Sequence, residues 1–141
     1  MNEITVKFRK IKEEATVPSY AHKGDAAMDL YSLEERTLER GEPYLFHLGF
    51  ASEFPQEFVA LVQDRSSMGK RGVRTLGGVI DSNYRGEWGV ILVNVTDNEV
   101  LIRPGDRIAQ VLFIPIAQAS ITSSESLSES ERKGGFGSTG K

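Results

Sequence analysis

The sequence contains no cysteine, and His22 and His47 are its only histidines among 141 residues. Without cysteine the chain can form neither a disulfide nor a reactive thiolate. Two isolated histidines in unlike sequence contexts also argue against a zinc site built from His and Cys ligands. We therefore interpret both histidines as ordinary surface or packing residues.

Long apolar runs are missing as well. The longest, residues 111–117, contains Pro115 and is far shorter than the roughly 20 residues that span a bilayer. The N-terminal residues become charged at Glu3 and lack the apolar stretch of a secretory signal. We expect no membrane association, and a cytoplasmic location as the default.

The charge balance argues against a nucleic-acid partner. The chain carries 17 Lys and Arg against 20 Asp and Glu, a net charge of -3. Proteins that coat nucleic acid usually present a basic face that neutralises phosphates. A small anionic substrate stays compatible, because a few local cations outweigh a weakly negative whole. Apolar residues, at 39%, are sufficient for one core in a chain of this length.

Most apolar segments are short, branched and bounded by turn formers, which predicts strands rather than helices. Turn signals recur about every ten residues, the spacing of a sandwich or jelly roll. Residues 66–71 predict one short helical turn, capped by a serine. The prediction is an all-β jelly roll with one short helix. Its clearest strands are residues 4–8, 58–62, 90–95 (nearly continuous, hence covered on both faces), 100–102 and 108–116, the last two preceded by turns at 96–99 and 104–106.

Composition changes sharply after residue 121. Residues 122–133 are mostly Ser and Glu, which cannot bury a core and are predicted to be solvated and mobile. The chain then ends in residues 134–141, where Phe136 stands among four glycines. We divide the chain into a β domain, residues 1–121, and a flexible C-terminal arm, residues 122–141.

The glycine-rich end of this arm has two interpretations. Its glycines allow successive N–H groups to converge on an anion, and Ser138 and Thr139 add hydroxyl donors. It could therefore close over a phosphorylated ligand with Phe136 stacked on a flat ring; the alternative is a disordered terminus. Residues 135–141 also match the spacing of a phosphate-binding P-loop. No predicted strand precedes them and no Ser or Thr follows Lys141, so a P-loop enzyme is not favoured.

Four internal segments combine ligand-type residues with turn signals. Residues 77–87 predict a β-hairpin with a tight tip, in which Asp81 is expected at the edge of a dry pocket or as a turn cap. Residues 64–72 set serine hydroxyls beside three cations, which suits a phosphate chain or a capped turn on a basic patch. Asp29, within residues 25–32, could face a metal or cap a strand. Residues 104–110 indicate a turn entering a buried strand.

In combination and order, these segments resemble the five motifs of the trimeric dUTPase family. The most specific match is Val-Ile-Asp-x-x-Tyr-Arg-Gly followed near the C-terminus by Gly-Gly-Phe-Gly-Ser-Thr-Gly. The resemblance implies a jelly-roll subunit of the dUTPase-like β-clip type, in a homotrimer whose three sites lie between subunits. The five motifs correspond to residues 26–32, 65–69, 78–87, 105–110 and 132–140.

The resemblance also implies an activity, the hydrolysis of dUTP to dUMP and pyrophosphate. Asp81 would be the general base that activates water for attack on the α-phosphorus. Mg²⁺ would bridge the triphosphate, with Asp29 holding it through bound water. Tyr84 would pack under the deoxyribose and exclude a 2′-hydroxyl, so that UTP is rejected. Further substrate contacts are implied for Arg65, Ser66, Ser67 and Gln110 at the phosphates, for the backbone around Gly78, Val79 and Ile80 at uracil, and for Arg132, Phe136, Gly137 and Ser138 in the tail.

The sequence departs from the family pattern in four places. Asn83 stands where the family usually has aspartate, and Ser67 replaces a common glycine. An asparagine often found ahead of the third motif is missing, which leaves the uracil contacts less defined. The fifth motif is one residue shorter, so either Arg132 or Lys133 meets the γ-phosphate, and Arg132 is preferred.

Two alternatives stay open on the residues alone. A dCTP deaminase shares the fold and the Arg-Ser-Ser start of the second motif, but it uses a glutamate base rather than an aspartate such as Asp81. A catalytically silent binding or regulatory module on the same fold would be expected to lose the base, the tyrosine or the tail. This chain keeps all three.

Overall fold

The computed structural model describes residues 3–137 and 140 of the chain. Within this part the chain forms eleven short strands and one short helix, which confirms the predicted all-β class. The strands are β1 (Lys7–Lys10), β2 (Met28–Tyr31), β3 (Arg36–Leu38), β4 (Tyr44–His47), β5 (Phe50–Glu53), β6 (Phe58–Gln63), β7 (Val73–Leu76), β8 (Val79–Ile80), β9 (Gly89–Asn94), β10 (Val100–Ile102) and β11 (Arg107–Pro115); the helix, α1, is Ser66–Lys70.

The strands pair into four small antiparallel sheets. The largest has the order β2-β11-β6-β8, and a second has the order β4-β9-β7. The other two are the pairs β1-β5 and β3-β10. β11 is the longest strand and lies between β2 and β6, so Gln110 stands opposite both Asp29 and Gln63. This register brings three distant stretches of sequence side by side.

A cluster of aromatic rings fills the core between the sheets. Trp88 is fully buried and packs against Phe50 and Phe8, with ring centroids 5.3 and 5.8 Å away. The Trp88 Nε1–H donates to the hydroxyl of buried Ser52 at 2.9 Å, so that its polar edge is satisfied. Every buried side-chain nitrogen or oxygen in the described part of the chain has such a partner. The sheets that carry the candidate site are therefore held by a well-packed, fully hydrogen-bonded core.

The predicted strands at residues 58–62, 100–102 and 108–116 are confirmed as β6, β10 and β11. The strand predicted at residues 4–8 begins only at Lys7, because its partner β5 sets the register from Lys7 opposite Glu53. The helix predicted at residues 66–71 is present, but its serine cap is wrong. Arg65 occupies the N-cap position, and its side chain makes no capping hydrogen bond.

Two further expectations are corrected. Residues 77–87 do not form a simple hairpin, because β8 pairs with β6 while β9 pairs with β4 and β7. The strand predicted at residues 90–95 is present as β9, yet its side chains alternate between buried and partly exposed. Ile91 remains 36% exposed. The expectation that this strand is covered on both faces is therefore wrong within one chain, where only one face of β9 is fully buried.

Beyond Pro115, the described residues of the C-terminal arm lie outside any helix or strand, and nearly all of them are exposed. The boundary at residue 121 and the mobility of the arm stay predictions. In the described part of the chain, no helix has the length and apolar character to cross a bilayer.

Candidate active site

The first candidate cleft lies where the chain passes from one sheet to another. β7 ends in the β4-β9-β7 sheet, and β8 begins in the larger sheet. Gly77 and Gly78 make the crossing with φ angles of 69° and 103°. The carbonyl of Gly78 accepts a hydrogen bond from the Val62 N–H at 2.8 Å, which pins the crossing to β6. An angle of 103° is essentially restricted to glycine, so this backbone path depends on the residue type.

This cleft, here called the hairpin cleft, has a volume of about 290 Å³. That is at the small end for ligand sites, about 300–1,000 Å³, and would suit one part of a nucleotide. Half-exposed apolar side chains from the neighbouring sheet, Leu45, Leu76 and Ile91, form part of its wall. The predicted site residues that line it are Gly78, Val79, Ile80, Asp81 and Tyr84.

A tight turn presents Asp81 and Tyr84 at the mouth of the hairpin cleft. The Tyr84 N–H donates to the Asp81 carbonyl at 3.1 Å, and the Tyr84 hydroxyl donates to the Glu87 carbonyl at 2.8 Å. Asp81 is exposed. No ion pair within the described residues engages its carboxylate. Such a carboxylate is available to accept a proton from a bound water molecule.

A second cleft, here called the phosphate cleft, is lined by residues of β2, β11 and the start of α1, together with residues 21–27 ahead of β2. Asp29 on β2 accepts a hydrogen bond from Arg65 Nε at 2.8 Å, and Arg65 Nη1 donates to the Ser67 hydroxyl at 2.6 Å. Gln110 Nε2 donates to the Asp64 carbonyl at 2.9 Å. The central position of β11 in the sheet explains why these residues meet. The predicted site residues that line this cleft are Asp29, Arg65, Ser66, Ser67 and Gln110.

The phosphate cleft brings two arginine side chains, Arg65 and Arg107, next to Asp29, and a second carboxylate, that of Asp25, also lines it. Asp29 lies between two guanidinium groups, since Arg107 Nε is 3.8 Å from its second oxygen. Asp29 is thus flanked by two arginines, whose fork of donors matches phosphate oxygens. The Asp29 side chain is 15% exposed, whereas that of Arg107 is 52% exposed and can turn toward a ligand. This arrangement suits a polyanion.

The two clefts of one chain are well separated. They share no lining residue in the part of the chain that the structure describes. Ile80 pairs with Ala60, and antiparallel β8 then carries Asp81 toward the start of β6. Arg65 lies five residues beyond Ala60 in the opposite direction, about 17 Å if the chain is extended. The candidate base and the candidate phosphate ligands of one chain therefore lie at opposite ends of a strand.

Three described tail residues predicted for the site, Arg132, Phe136 and Gly137, lie in neither cleft of their own chain. Phe136 is fully exposed with a φ of 52°, and Gly137 is also exposed. Arg132 Nε donates to the Gly134 carbonyl at 3.1 Å. Ser138, also predicted to bind substrate, lies outside the described residues.

Comparison with known proteins identifies the family. The sequence profile of the dUTPase family matches residues 13–140. The deoxyuridine 5′-triphosphate nucleotidohydrolase of Clostridium tetani is 43% identical over the whole of both chains. The chain belongs to the dUTPase family. It is therefore a dUTP-hydrolysing enzyme, and the predicted family is confirmed.

Solved dUTPase structures confirm the jelly-roll fold. A mutant dUTPase of Staphylococcus bacteriophage 80alpha with dUpNHpp superposes with a TM-score of 0.86 at 26% identity, covering 96% of this chain and 98% of the other. The dUTPase of phage phi11 of S. aureus, in which a structural Mg(II) ion is coordinated, superposes with a TM-score of 0.82 at 24% identity. That alignment covers 89% of this chain and 99% of the phage chain.

The residues of the phosphate cleft fit a metal ion that is bound mainly by the phosphates of a substrate and only in part by the protein. No cluster of three or more metal-binding side chains occurs among residues 3–137 and 140. Asp29 is the predicted metal residue, and its Oδ1 is already bonded to Arg65. Mg²⁺ typically keeps several waters and binds through one or two carboxylates together with substrate phosphates. A dUTPase with this cleft would hold Mg²⁺ through the triphosphate, with Asp29 reached through water.

The dUTPase clefts also contain residues that sequence reasoning missed. Arg107 enters the phosphate cleft from β11, although its motif was interpreted as a turn leading into a buried strand. Both histidines, interpreted as ordinary, line a cleft: His47 lies 4.0 Å from Glu87 in the hairpin cleft, and His22 lies 3.3 Å from Asp25 in the phosphate cleft. His47 meets Glu87 because β4 pairs with β9, which no local sequence pattern reveals, whereas His22 and Asp25 are only three residues apart in the chain.

Proposed function

We propose that this dUTPase hydrolyses dUTP to dUMP and pyrophosphate at composite sites in a homotrimer. One chain contributes the hairpin cleft, and a second contributes the phosphate cleft. The observation that carries this proposal is the separation of the two clefts within a single chain. A dUTP molecule in the hairpin cleft of one chain would meet phosphate ligands only from another copy, which rotational symmetry supplies three times.

In this site Asp81 is the general base. Its carboxylate takes a proton from the water that attacks the α-phosphorus, and pyrophosphate leaves as the bond to the bridging oxygen breaks. General base catalysis of this kind contributes about 10²–10⁴-fold. Two observations support this role: Asp81 is exposed and lines the hairpin cleft, and among the described residues no ion pair engages its carboxylate.

The other residues bind and orient the substrate. Arg65, Ser66, Ser67 and Gln110 donate to phosphate oxygens, which serves a reaction that depends on positioning and charge stabilisation. When bound, Mg²⁺ neutralises charge on the triphosphate. Backbone groups around Gly78, Val79 and Ile80 read uracil, and the half-exposed ring of Tyr84 packs under the deoxyribose. From a third chain, Phe136 and Gly137 close over the base, Ser138 adds a hydroxyl donor, and Arg132 meets the γ-phosphate.

The first experiment tests the activity and the base together. Pyrophosphate release with Mg²⁺ is measured for dUTP, UTP, dCTP and dTTP, with wild type, Asp81→Asn and the matched control Asp97→Asn. Asp97 is an exposed aspartate paired with Arg40 outside both clefts. We expect release from dUTP alone, loss of at least about 10²-fold in Asp81→Asn, and no loss in the control. Full turnover by Asp81→Asn would refute the assigned base.

The second experiment tests the composite site. Asp81→Asn and Arg65→Gln chains, each inactive alone, are unfolded together and refolded as mixed trimers. If a site takes Asp81 from one chain and Arg65 from another, random mixing restores roughly a quarter of the sites. A site contained within one chain would stay inactive in every mixture. Sedimentation analysis of the mixture reports the trimer independently.

A further inference from the structure

Asp64 is absent from the motif residues, yet it lies at a junction of three strands. It follows β6 directly and precedes Arg65, the first residue of the segment proposed to bind phosphate. Its Oδ1 accepts hydrogen bonds from the Thr75 N–H at 2.6 Å and from the Thr75 hydroxyl at 2.8 Å. Its Oδ2 accepts one from Arg74 Nε at 3.2 Å. The backbone carbonyl of the same residue accepts from Gln110 on β11 at 2.9 Å.

These contacts join the segment of residues 65–67 to a firmly anchored strand. β7, which carries Thr75, is held along its whole length by its ladder to β9. The segment of residues 65–67 belongs to no strand: Arg65 is the N-cap of the five-residue helix α1, and Ser66 and Ser67 are its first two residues. Arg65 is further oriented by Asp29 at its guanidinium group, and its carbonyl accepts hydrogen bonds from the Met68 and Gly69 N–H groups, both at 2.9 Å. Asp64 therefore sets where residues 65–67 stand relative to the rigid sheet.

The electrostatics of Asp64 agree with a permanent anchor. Partial burial raises the pKa of its carboxyl group, but hydrogen bonds from Thr75 and Arg74 outweigh that effect and leave the pKa below the usual value. The side chain is 32% exposed, so it is neither a core residue nor a free surface charge. A carboxylate that accepts a backbone N–H and a hydroxyl on one oxygen is a strong, oriented contact.

We propose that Asp64 is a positioning residue that holds residues 65–67 in the geometry that binds the triphosphate. This inference rests on the proposed function, because it assigns Asp64 to the phosphate half of that site. The hairpin cleft is anchored separately, through the pairing of β8 with β6 and the Gly78–Val62 hydrogen bond. Loss of Asp64 should therefore weaken contacts to the phosphate chain more than contacts to the nucleoside.

The test compares two ligands that differ in the length of the phosphate chain. Calorimetry measures the binding of dUpNHpp and of dUMP, with Mg²⁺, to wild type, Asp64→Ala, Asp64→Asn and Thr75→Val. We expect Asp64→Ala to weaken dUpNHpp binding about 10- to 100-fold, as a misplaced binding segment does, and dUMP binding much less. Asp64→Asn keeps an acceptor for the Thr75 N–H, and Thr75→Val removes the hydroxyl alone, so both should lie between wild type and Asp64→Ala.

Two controls separate positioning from a general loss of structure. Thermal unfolding of each variant fixes an assay temperature at which all are folded, and Asp97→Ala removes an exposed aspartate outside both clefts. If Asp64→Ala lowers only the melting temperature, or weakens dUMP and dUpNHpp equally, Asp64 is not a positioning residue for the phosphate chain.

A further variant, Arg65→Gln, distinguishes this inference from the proposed function. If Arg65→Gln binds dUpNHpp with the same affinity as wild type, the phosphate cleft does not bind the triphosphate and the proposed function of that cleft is wrong. If Arg65→Gln loses dUpNHpp affinity while Asp64→Ala does not, the phosphate cleft stands and only the role of Asp64 is refuted.

Discussion

A methyl group added at Gly78 should destabilise the protein much more than one added at the adjacent Gly77. Both residues have positive φ angles, so alanine at either position is strained. A Cβ at Gly77 would meet no atom within 4 Å. A Cβ at Gly78 would lie 2.7 Å from the carbonyl oxygen of Val62 and 3.3 Å from its Cβ. The two variants thus share the chemical change and differ in the space available.

The expected costs follow from these geometries. At Gly77 the left-handed backbone alone costs about 1–2 kcal/mol for alanine. At Gly78 the φ of 103° lies beyond that region, and displacing the Val62 carbonyl adds an overpacking cost of about 1–3 kcal/mol. We therefore expect Gly78→Ala to unfold with about 2–3 kcal/mol less stability than Gly77→Ala. For a domain of this size that difference is roughly 5–12 °C in melting temperature.

Thermal and urea unfolding of both variants and wild type measure this difference. Because Val62 also donates the hydrogen bond to the Gly78 carbonyl, Gly78→Ala should distort the hairpin cleft and lower dUTP turnover even where it is folded. Equal stability of the two alanine variants, within about 1 kcal/mol, would refute the claim that Val62 limits the space at Gly78.

The other predictions concern the ring of Tyr84, the carboxylate of Asp64 and Phe136 in the tail. Tyr84→Phe removes the hydrogen bond to the Glu87 carbonyl and should destabilise by about 0.5–1.5 kcal/mol in urea unfolding while UTP is still rejected, whereas Tyr84→Ala should hydrolyse UTP measurably. The pKa of Asp64 is lowered on folding, so its contribution to stability is present above the ordinary value of 3.8 and is lost as the pH falls below it. Thermal unfolding should therefore show a lower melting temperature for Asp64→Asn than for wild type at pH 7, and a smaller difference at pH 3. A difference in melting temperature that is the same at pH 3 as at pH 7 would contradict this. Phe136→Ala should lower dUTP turnover and leave the sedimentation of the assembly unchanged; dissociation would show that the tail is structural.

The sequence was sufficient to predict the strands that carry dense apolar residues. β6, β10 and β11 were predictable because each has branched or aromatic side chains and turn formers at its ends. The starting residue of β1 was not, because its partner β5 sets the register, and pairing of this kind is invisible in a local pattern. The crossing at Gly77 and Gly78 resembled a hairpin because the same glycines serve a tight turn and a change of sheet equally well.

In the candidate site, too, some residues were predictable from the sequence and others depend on strand pairing. Asp29, Arg65 and Gln110 were predictable from the family motifs, and the structure places them in one cleft. Arg107 and Asp64 were not predicted as site residues. Arg107 reaches the cleft because β11 pairs with β2, and Asp64 matters because of Thr75, eleven residues further along the chain. Long-range pairing, rather than residue type, decides the role of such residues.

The length of the tail puts the hairpin cleft of its own chain, as well as that of another copy, within reach of Phe136. β11 ends at Pro115 opposite Phe58, which is the end of β6 that antiparallel β8 approaches as it leads to Asp81. Phe136 lies 21 residues beyond Pro115, a span of up to about 70 Å if fully extended. A segment of that length reaches the hairpin cleft of its own chain as easily as that of a neighbour, and the entropic cost of closure rises only slowly with length. In the proposed trimer, the contacts between the tail and bound nucleotide would therefore decide which cleft Phe136 enters.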